Sequence, residues 1–166
     1  SMDKISEEMK PSFFECATAM AFKYFQKNDC EIATVEVGLG GRLDATSALN
    51  PDVTAITSIN FDHMKTLGDT IEKIAFEKAG IIKSNTPMIC GTDMTDAVRV
   101  IEMVAREKKA PLYQFLEDYH YIAVKNELNA NEFHFQSKKL NMNNLKLRMN
   151  GTHQMKNAST AIMAYL

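Results

Sequence analysis

No apolar run in the sequence approaches the roughly 20 residues needed to cross a bilayer, and the N-terminus lacks the basic-then-apolar order of a signal peptide. These absences argue against a membrane span and make a cytosolic protein the expectation. There is also no Lys/Arg run long enough to track a phosphate backbone, and nineteen basic against twenty-one acidic residues leave a formal charge of −2. Nucleic acid is therefore not an expected partner. Cysteine is sparse: Cys16, Cys30 and Cys90 are odd in number, far apart, and fall in segments that read as helix, helix end and strand. That suits reduced packing residues rather than a disulfide frame or a zinc site. Repeats and low-complexity tracts are absent too.

What is present is the composition of one packed unit. With 45% hydrophobic and 24% charged residues, 166 residues can bury one sizeable core, which is one domain or most of one. Ser1-Met2 reads as an expression scar and Leu166 falls inside a helical pattern, so both ends are expected to be cut.

From about Ser6 or Pro11 to Asn28, Phe13, Ala17, Met20 and Tyr24 recur at three- and four-residue steps, which predicts an amphipathic helix with Pro11 in its first turn. Three short apolar runs, Glu31–Val37, Val53–Ile59 and Pro87–Cys90, predict parallel strands. A capping sequence at Asp69 to Glu72 opens a helix reaching about Lys83, and a second helix is expected over Thr92–Lys109, before a further strand. Strands apolar along their whole length, alternating with helices, predict an α/β fold with a mostly parallel, doubly wound sheet covered on both faces. From Tyr119 to Met149 the pattern changes to alternation with turn-rich breaks, which predicts antiparallel hairpins at an edge. The last segment, Gly151–Leu166, returns to helix, with Ala158, Ala161, Ile162 and Tyr165 expected on the packed side.

Several residues can carry chemistry. Glu36 lies at the C-terminal end of an apolar run, just before a glycine-rich loop, and open α/β sheets bind ligands beyond the carboxyl ends of their strands. It either serves a ligand or faces solvent or pairs with Arg42. The loop Gly38–Asp44 has neither the GxGxxG nor the GxxxxGK[ST] spacing, so it is rejected as a phosphate site. Asp62-His63 follows the second strand as Glu36 follows the first; His63 is a metal ligand, a general base or a structural histidine. Lys78 shares a helical face with Ile74, Ala75, Ile81 and Ile82, whereas Lys73 and Lys83 can point outward. A half-buried lysine either snorkels or, losing proton affinity, reacts with carbon dioxide to give a carbamate. Gln154 and Asn157, three apart at a helix start, either read a base edge or cap the helix.

Glu36-Val-Gly-Leu-Gly-Gly-Arg-Leu-Asp-Ala-Thr46, Asp62-His63 with Leu67-Gly68, Glu77-Lys-Ala-Gly-Ile-Ile-Lys83 and Gly151-x-His-Gln-x-x-Asn-Ala158 resemble, in order and spacing, the signatures of the folylpolyglutamate and dihydrofolate synthases of the Mur ligase superfamily. Ser12-Phe-Phe-Glu15 and Ala19-Met-Ala-Phe22 resemble the helix before the first signature, so the likeness covers nearly the whole chain. It implies an ATP-dependent amide ligase that phosphorylates a folate or dihydropteroate carboxylate and joins it to L-glutamate. It further implies two magnesium ions, one held by Glu36 and a second by His63 and a carbamylated Lys78. Gln154 and Asn157 match the motif beside the adenine, and Ser12, Phe14, Arg42, Asp44 and Ala45 match the region that meets the pterin-bearing substrate. Residues 1–166 would then be part of the P-loop-type central, ATP-binding domain. The P-loop is expected upstream, a separate C-terminal domain downstream, and the 166 residues alone are expected to be inactive and prone to self-association through bare sheet edges.

Three alternatives stay open. A Mur-type ligase acting on a cell-wall precursor shares the carboxylate, histidine and lysine in kind. A metal-dependent hydrolase would use Glu36, Asp62 and His63 to activate water, but His120, His134 and His153 lie in the hairpins or the last motif. A non-catalytic α/β module that keeps these residues for packing is a third.

Overall fold

The structure, a computed structural model, describes residues 10–128 and 130–166. In chain order the elements are helix α1 (Phe13–Lys27), a 3-10 helix (Ala45–Ala48), β1 (Thr54–Ile56), α2 (Met64–Leu67), α3 (Ile71–Ala79), β2 (Met88–Cys90), α4 (Thr95–Glu107), β3 (Leu112–Gln114), β4 (Tyr119–Glu127), β5 (Ala130–Ser137), β6 (Asn141–Leu147) and α5 (His153–Tyr165). β1, β2 and β3 form a parallel sheet in that order, with Ala55 opposite Ile89 and Ile89 opposite Tyr113. β4, β5 and β6 form a separate antiparallel sheet, also in sequence order.

Side chains alternate across a strand, so β2, buried along its whole length, feeds two cores. Met88 and Cys90 face one core, packed with Ile74 and Ala75 of α3 and with Ala97 and Ile101 of α4. Ile89 faces the other, made by Tyr119, Phe133 and Phe135 of the antiparallel sheet and by Met155 and Met163 of α5. The parallel sheet is thus covered on both faces, as its unbroken apolar strands predict. α3 starts where the Thr70 hydroxyl accepts from the Lys73 N–H, and it buries Ile71, Ile74, Ala75 and Ala79 on one stripe. Each such isoleucine stabilises the fold by about 1.5–3 kcal/mol relative to exposure. All three cysteines are free; Cys90 is buried, and burial pushes its thiol up to about 11.

Five expectations need correction, one of them only in part. Residues 31–37 form no strand: Ile32 is 87% exposed, and the backbone there finds no ladder partner among the described residues. An apolar, β-branched run becomes a strand only where a neighbour supplies the hydrogen bonds. The stripe of α1 does not face a core, since Phe13 is 89% exposed, Met20 and Tyr24 are exposed, and Thr18 is the helix's buried residue. Pro11 lies outside this helix, which is capped instead by Ser12 and Glu15; the alternative start at Ser6 lies outside the described residues.

Of the packed side expected for α5, Ala158 and Ile162 do pack, half-buried, against the second core, but Ala161 is exposed and Tyr165 90% exposed, and the buried residues are Met155, Ser159, Thr160 and Met163. Ser159 and Thr160 can be buried because their hydroxyls donate to the carbonyls of Met155 (2.8 Å) and Lys156 (3.0 Å). Lys83 does not point outward: its Nζ donates to the Ser47 carbonyl at 2.6 Å.

Candidate functional site

The carboxyl edge of the parallel sheet is where the chain gathers its polar side chains. After β1 the chain reaches Asp62-His63, and His63 takes the left-handed backbone conformation (φ 49°), with its N–H donating to Asp62 Oδ1 at 2.8 Å. That conformation costs a non-glycine residue about 1 kcal/mol or more. His63 Nε2 stands 3.6 Å from Asp62 Oδ2, beyond hydrogen-bond length, and the imidazole is exposed.

After β2 comes Asp93, whose Oδ1 accepts from Lys156 Nζ at 2.8 Å. The Lys156 hydrogen bond holds the Asp93 carboxyl below the usual carboxylate range. The same ammonium lies 4.8 Å from the centre of the Phe115 ring. α5 presses close on this edge: a Cβ at Gly91 would sit 2.8 Å from Thr160 Oγ1 and from the Thr57 carbonyl. Tyr119 completes the seam, with its hydroxyl 3.1 Å from both the Cys90 carbonyl and Thr160 Oγ1.

Gln154 and Asn157 are therefore carried on a helix end fixed to the sheet edge. Asn157 Nδ2 donates to Gln154 Oε1 at 3.3 Å, and neither side chain caps the helix. Of the two readings open in the sequence, capping is set aside, and a pair of aligned, half-buried amides is left.

The glycine loop is closed on itself. Asp44 Oδ2 accepts from the Gly38 and Leu39 N–H groups (3.1 and 3.0 Å), and Oδ1 accepts from the Thr46 N–H and hydroxyl (2.9 and 2.6 Å). Burial pushes the Asp44 carboxyl up, but these hydrogen bonds together outweigh it and hold the group below its ordinary value. Two amides of the loop, those of Gly38 and Leu39, are thus occupied by this carboxylate.

The loop is also bolted to the end of α3. Arg42 makes a forked pair with Glu77 (Nη2 to Oε1, 2.9 Å), and its N–H donates to the Glu77 carbonyl at 2.9 Å. Gly80 leaves no room for a side chain there, since a Cβ would meet Arg42 Cα at 2.3 Å. Arg42 thus pairs with Glu77 rather than with Glu36.

The sequence candidates fall into distinct states. Glu36 is exposed, with no side-chain partner among the described residues. Lys78 is half-buried on α3, next to Glu77, and likewise has no partner there. Ser12 is taken up in a capping box, its hydroxyl accepting from the Glu15 N–H (3.2 Å) and its own N–H donating to Glu15 Oε2 (2.6 Å). The Phe14 ring lies against Gly38, Gly38 is bonded to Asp44, and Ala45 opens the 3-10 helix. Phe14, Arg42, Asp44 and Ala45 therefore share one neighbourhood.

Among the described residues no three His, Cys, Asp or Glu side chains cluster tightly enough to enclose a metal. The exposed Glu36 carboxylate offers oxygen of the kind a hydrated magnesium ion takes beside waters and substrate phosphates, whereas His63 offers nitrogen. An open apolar depression of about 460 Å³ between α2, α3 and α4 contains none of the candidate residues. The Arg42–Glu77 lock and the Asp93–Lys156 pair have no signal in a single sequence, because their partners are brought together only by the fold.

A family profile described as the Mur ligase middle domain matches residues 8–165. The chain is 40% identical over 161 residues to a dihydrofolate synthase/folylpolyglutamate synthase of Bacillus subtilis, covering 96% of this chain and 37% of that protein. A protein of the same description from Haemophilus influenzae is 37% identical over 140 residues, 81% of this chain and 29% of its own length. Among solved structures, a folylpolyglutamate synthase of Thermotoga maritima superposes with a TM-score of 0.89 at 39% identity, over 98% of this chain and 37% of that one. An FPGS–AMPPCP–folate complex superposes with a TM-score of 0.92 at 29% identity, over 98% and 40%. The chain thus spans little more than a third of the length of the Bacillus subtilis and Thermotoga maritima proteins.

Proposed function

Because the chain belongs to the Mur ligase family through its middle domain, we propose that it forms the nucleotide-facing part of an ATP-dependent amide ligase that joins L-glutamate to a folate, to dihydropteroate, or to both. The observation that carries this reading is the seating of the Gln154–Asn157 pair on a helix end that Lys156 ties to Asp93, just beyond the carboxyl end of β2. Support comes from the relatives named as dihydrofolate and folylpolyglutamate synthases and from the solved complex with AMPPCP and folate.

In the proposed reaction a substrate carboxylate oxygen attacks the γ-phosphorus of ATP and ADP departs. The amine of glutamate then attacks the acyl carbon, the amide bond forms, and phosphate leaves as the ammonium proton passes to solvent or a base. Gln154 and Asn157 offer donors and acceptors to the adenine edge. Glu36 would hold one magnesium, and His63 with Lys78 as its carbamate a second. Bound there, magnesium supplies charge neutralisation on the transferring phosphoryl group. Phe14, Arg42, Asp44 and Ala45, with Ser12 at the head of α1, shape the side that would meet the pterin.

Among the described residues no helix is long and apolar enough to cross a membrane, and a cytoplasmic location fits the proposed substrates. Residues 1–166 by themselves are expected to turn over nothing, since the one glycine loop they contain is filled by Asp44.

The test is phosphate release by the whole protein with magnesium-ATP and glutamate, adding dihydropteroate or tetrahydrofolate in turn. Release that depends on the pterin supports the proposal and identifies the substrate. Release that ignores it would point to a cell-wall precursor ligase or a hydrolase.

A further inference from the structure

β5 buries Asn131, Phe133 and Phe135 on one face, and the first of these is out of character. Asn131 is 1% exposed in a register that otherwise takes aromatic side chains. Its Nδ2 donates to the Met149 carbonyl at 2.6 Å and to the Gly151 carbonyl at 3.3 Å, while its Oδ1 has no partner among the described residues. Leaving a buried acceptor unpaired is unfavourable, and an apolar side chain of similar size would avoid it. What an apolar side chain cannot do is grip two carbonyls of another segment.

That segment is the connection from β6 into α5. Gly151, with φ 95°, turns the chain, its carbonyl accepts from the Gln154 N–H at 3.1 Å, and α5 begins two residues on. The far side of the same helix end is held by Lys156 on Asp93. Two clamps from different elements thus fix the turn that presents Gln154 and Asn157, one of them from a hairpin strand with no other place in the proposed chemistry.

We infer that Asn131 is a positioning residue for nucleotide binding: its amide sets the 149–151 turn, and through it the aim of the Gln154–Asn157 pair at the nucleotide base. This rests on the proposed role of that pair.

The test uses the whole protein with Asn131→Leu, which suits a buried apolar register and removes both donors, and with Asn131→Ala as a second variant in case the first packs badly. ADP is titrated by calorimetry, thermal unfolding is followed without nucleotide, and the KM for glutamate is measured. Asn131→Leu is expected to keep the wild-type Tm or raise it while weakening ADP about tenfold or more and leaving the KM for glutamate unchanged. Asn131→Ala is expected to show the same ADP loss together with a lower Tm. ADP affinity within twofold of wild type in a folded variant would overturn the inference, as would equal losses for ADP and glutamate. Wild-type protein that bound no ADP would instead sink the reading beneath it.

Discussion

Lys78 shows how much, and how little, a single position reveals. Its neighbours at helical spacing placed it on a face with isoleucines, and it is indeed half-buried with no partner among the described residues. Whether its nitrogen carries a proton or a carboxylate is not written in residue type. Lys78→Arg separates the two, because a guanidinium keeps the charge and length but does not form a carbamate. The proposed role predicts a loss of kcat of about a hundredfold or more with a near-native Tm, measured by steady-state phosphate release and thermal unfolding. An active Lys78→Arg enzyme would remove the carbamate from the account.

Glu36 was legible by its place before the glycine loop, but the strand expected to carry it is not there, since residues 31–37 find no ladder partner among the described residues and Glu36 is exposed. Asn131, by contrast, falls in a stretch, 126–131, that reads as a turn-rich break; the structure puts it in β5, and its partners Met149 and Gly151 lie across a hairpin that only the fold closes.

At the scale of elements, two signatures that read as separate motifs prove to be halves of one contact: the glycine loop and the end of α3 are joined by Arg42–Glu77 and by backbone approach at Gly80. Gly80→Ala places a methyl 2.3 Å from Arg42 Cα. It is expected to cost about 1–3 kcal/mol in urea unfolding of the whole protein, and a neutral result would mean that the loop does not sit where it is described. Acid should loosen the same loop. The Asp44 carboxyl titrates below its ordinary value, so its contribution is present above the unfolded pKa and is lost as pH falls through the lower folded one. Amide exchange at Gly38 and Leu39 should therefore accelerate as the pH drops below about 4, and Asp44→Asn should remove that dependence.

Helix α3 was readable from its cap and spacing and α4 from its place after a strand, whereas the facing of α1 was not readable and that of α5 only in part, at Ala158 and Ile162. For α5, buried hydroxyls satisfied within the helix mimic a polar face. For α1, an apolar stripe says that a partner surface exists, not that it lies among these residues.

The whole molecule repeats that lesson. A parallel sheet covered on both faces and a hairpin region from Tyr119 onward follow from unbroken apolar runs giving way to alternation, and both are present. The run at 31–37 did not become a strand, because pairing is a property of neighbours. Among the described residues β1 is an edge of its sheet, and an edge with unpaired backbone groups invites another chain. Residues 1–166 alone are expected to self-associate with rising concentration in light scattering; a clean monomer throughout would show that the edge is blocked.

The central claim, that the sheet edge carrying His63, Asp93 and α5 serves a glutamate ligase acting on a pterin substrate, is met most directly by one assay. Phosphate release by the whole protein is followed with magnesium-ATP and glutamate, with and without dihydropteroate or tetrahydrofolate. The account predicts release that requires both glutamate and a pterin; release with neither, or none with both, would contradict it.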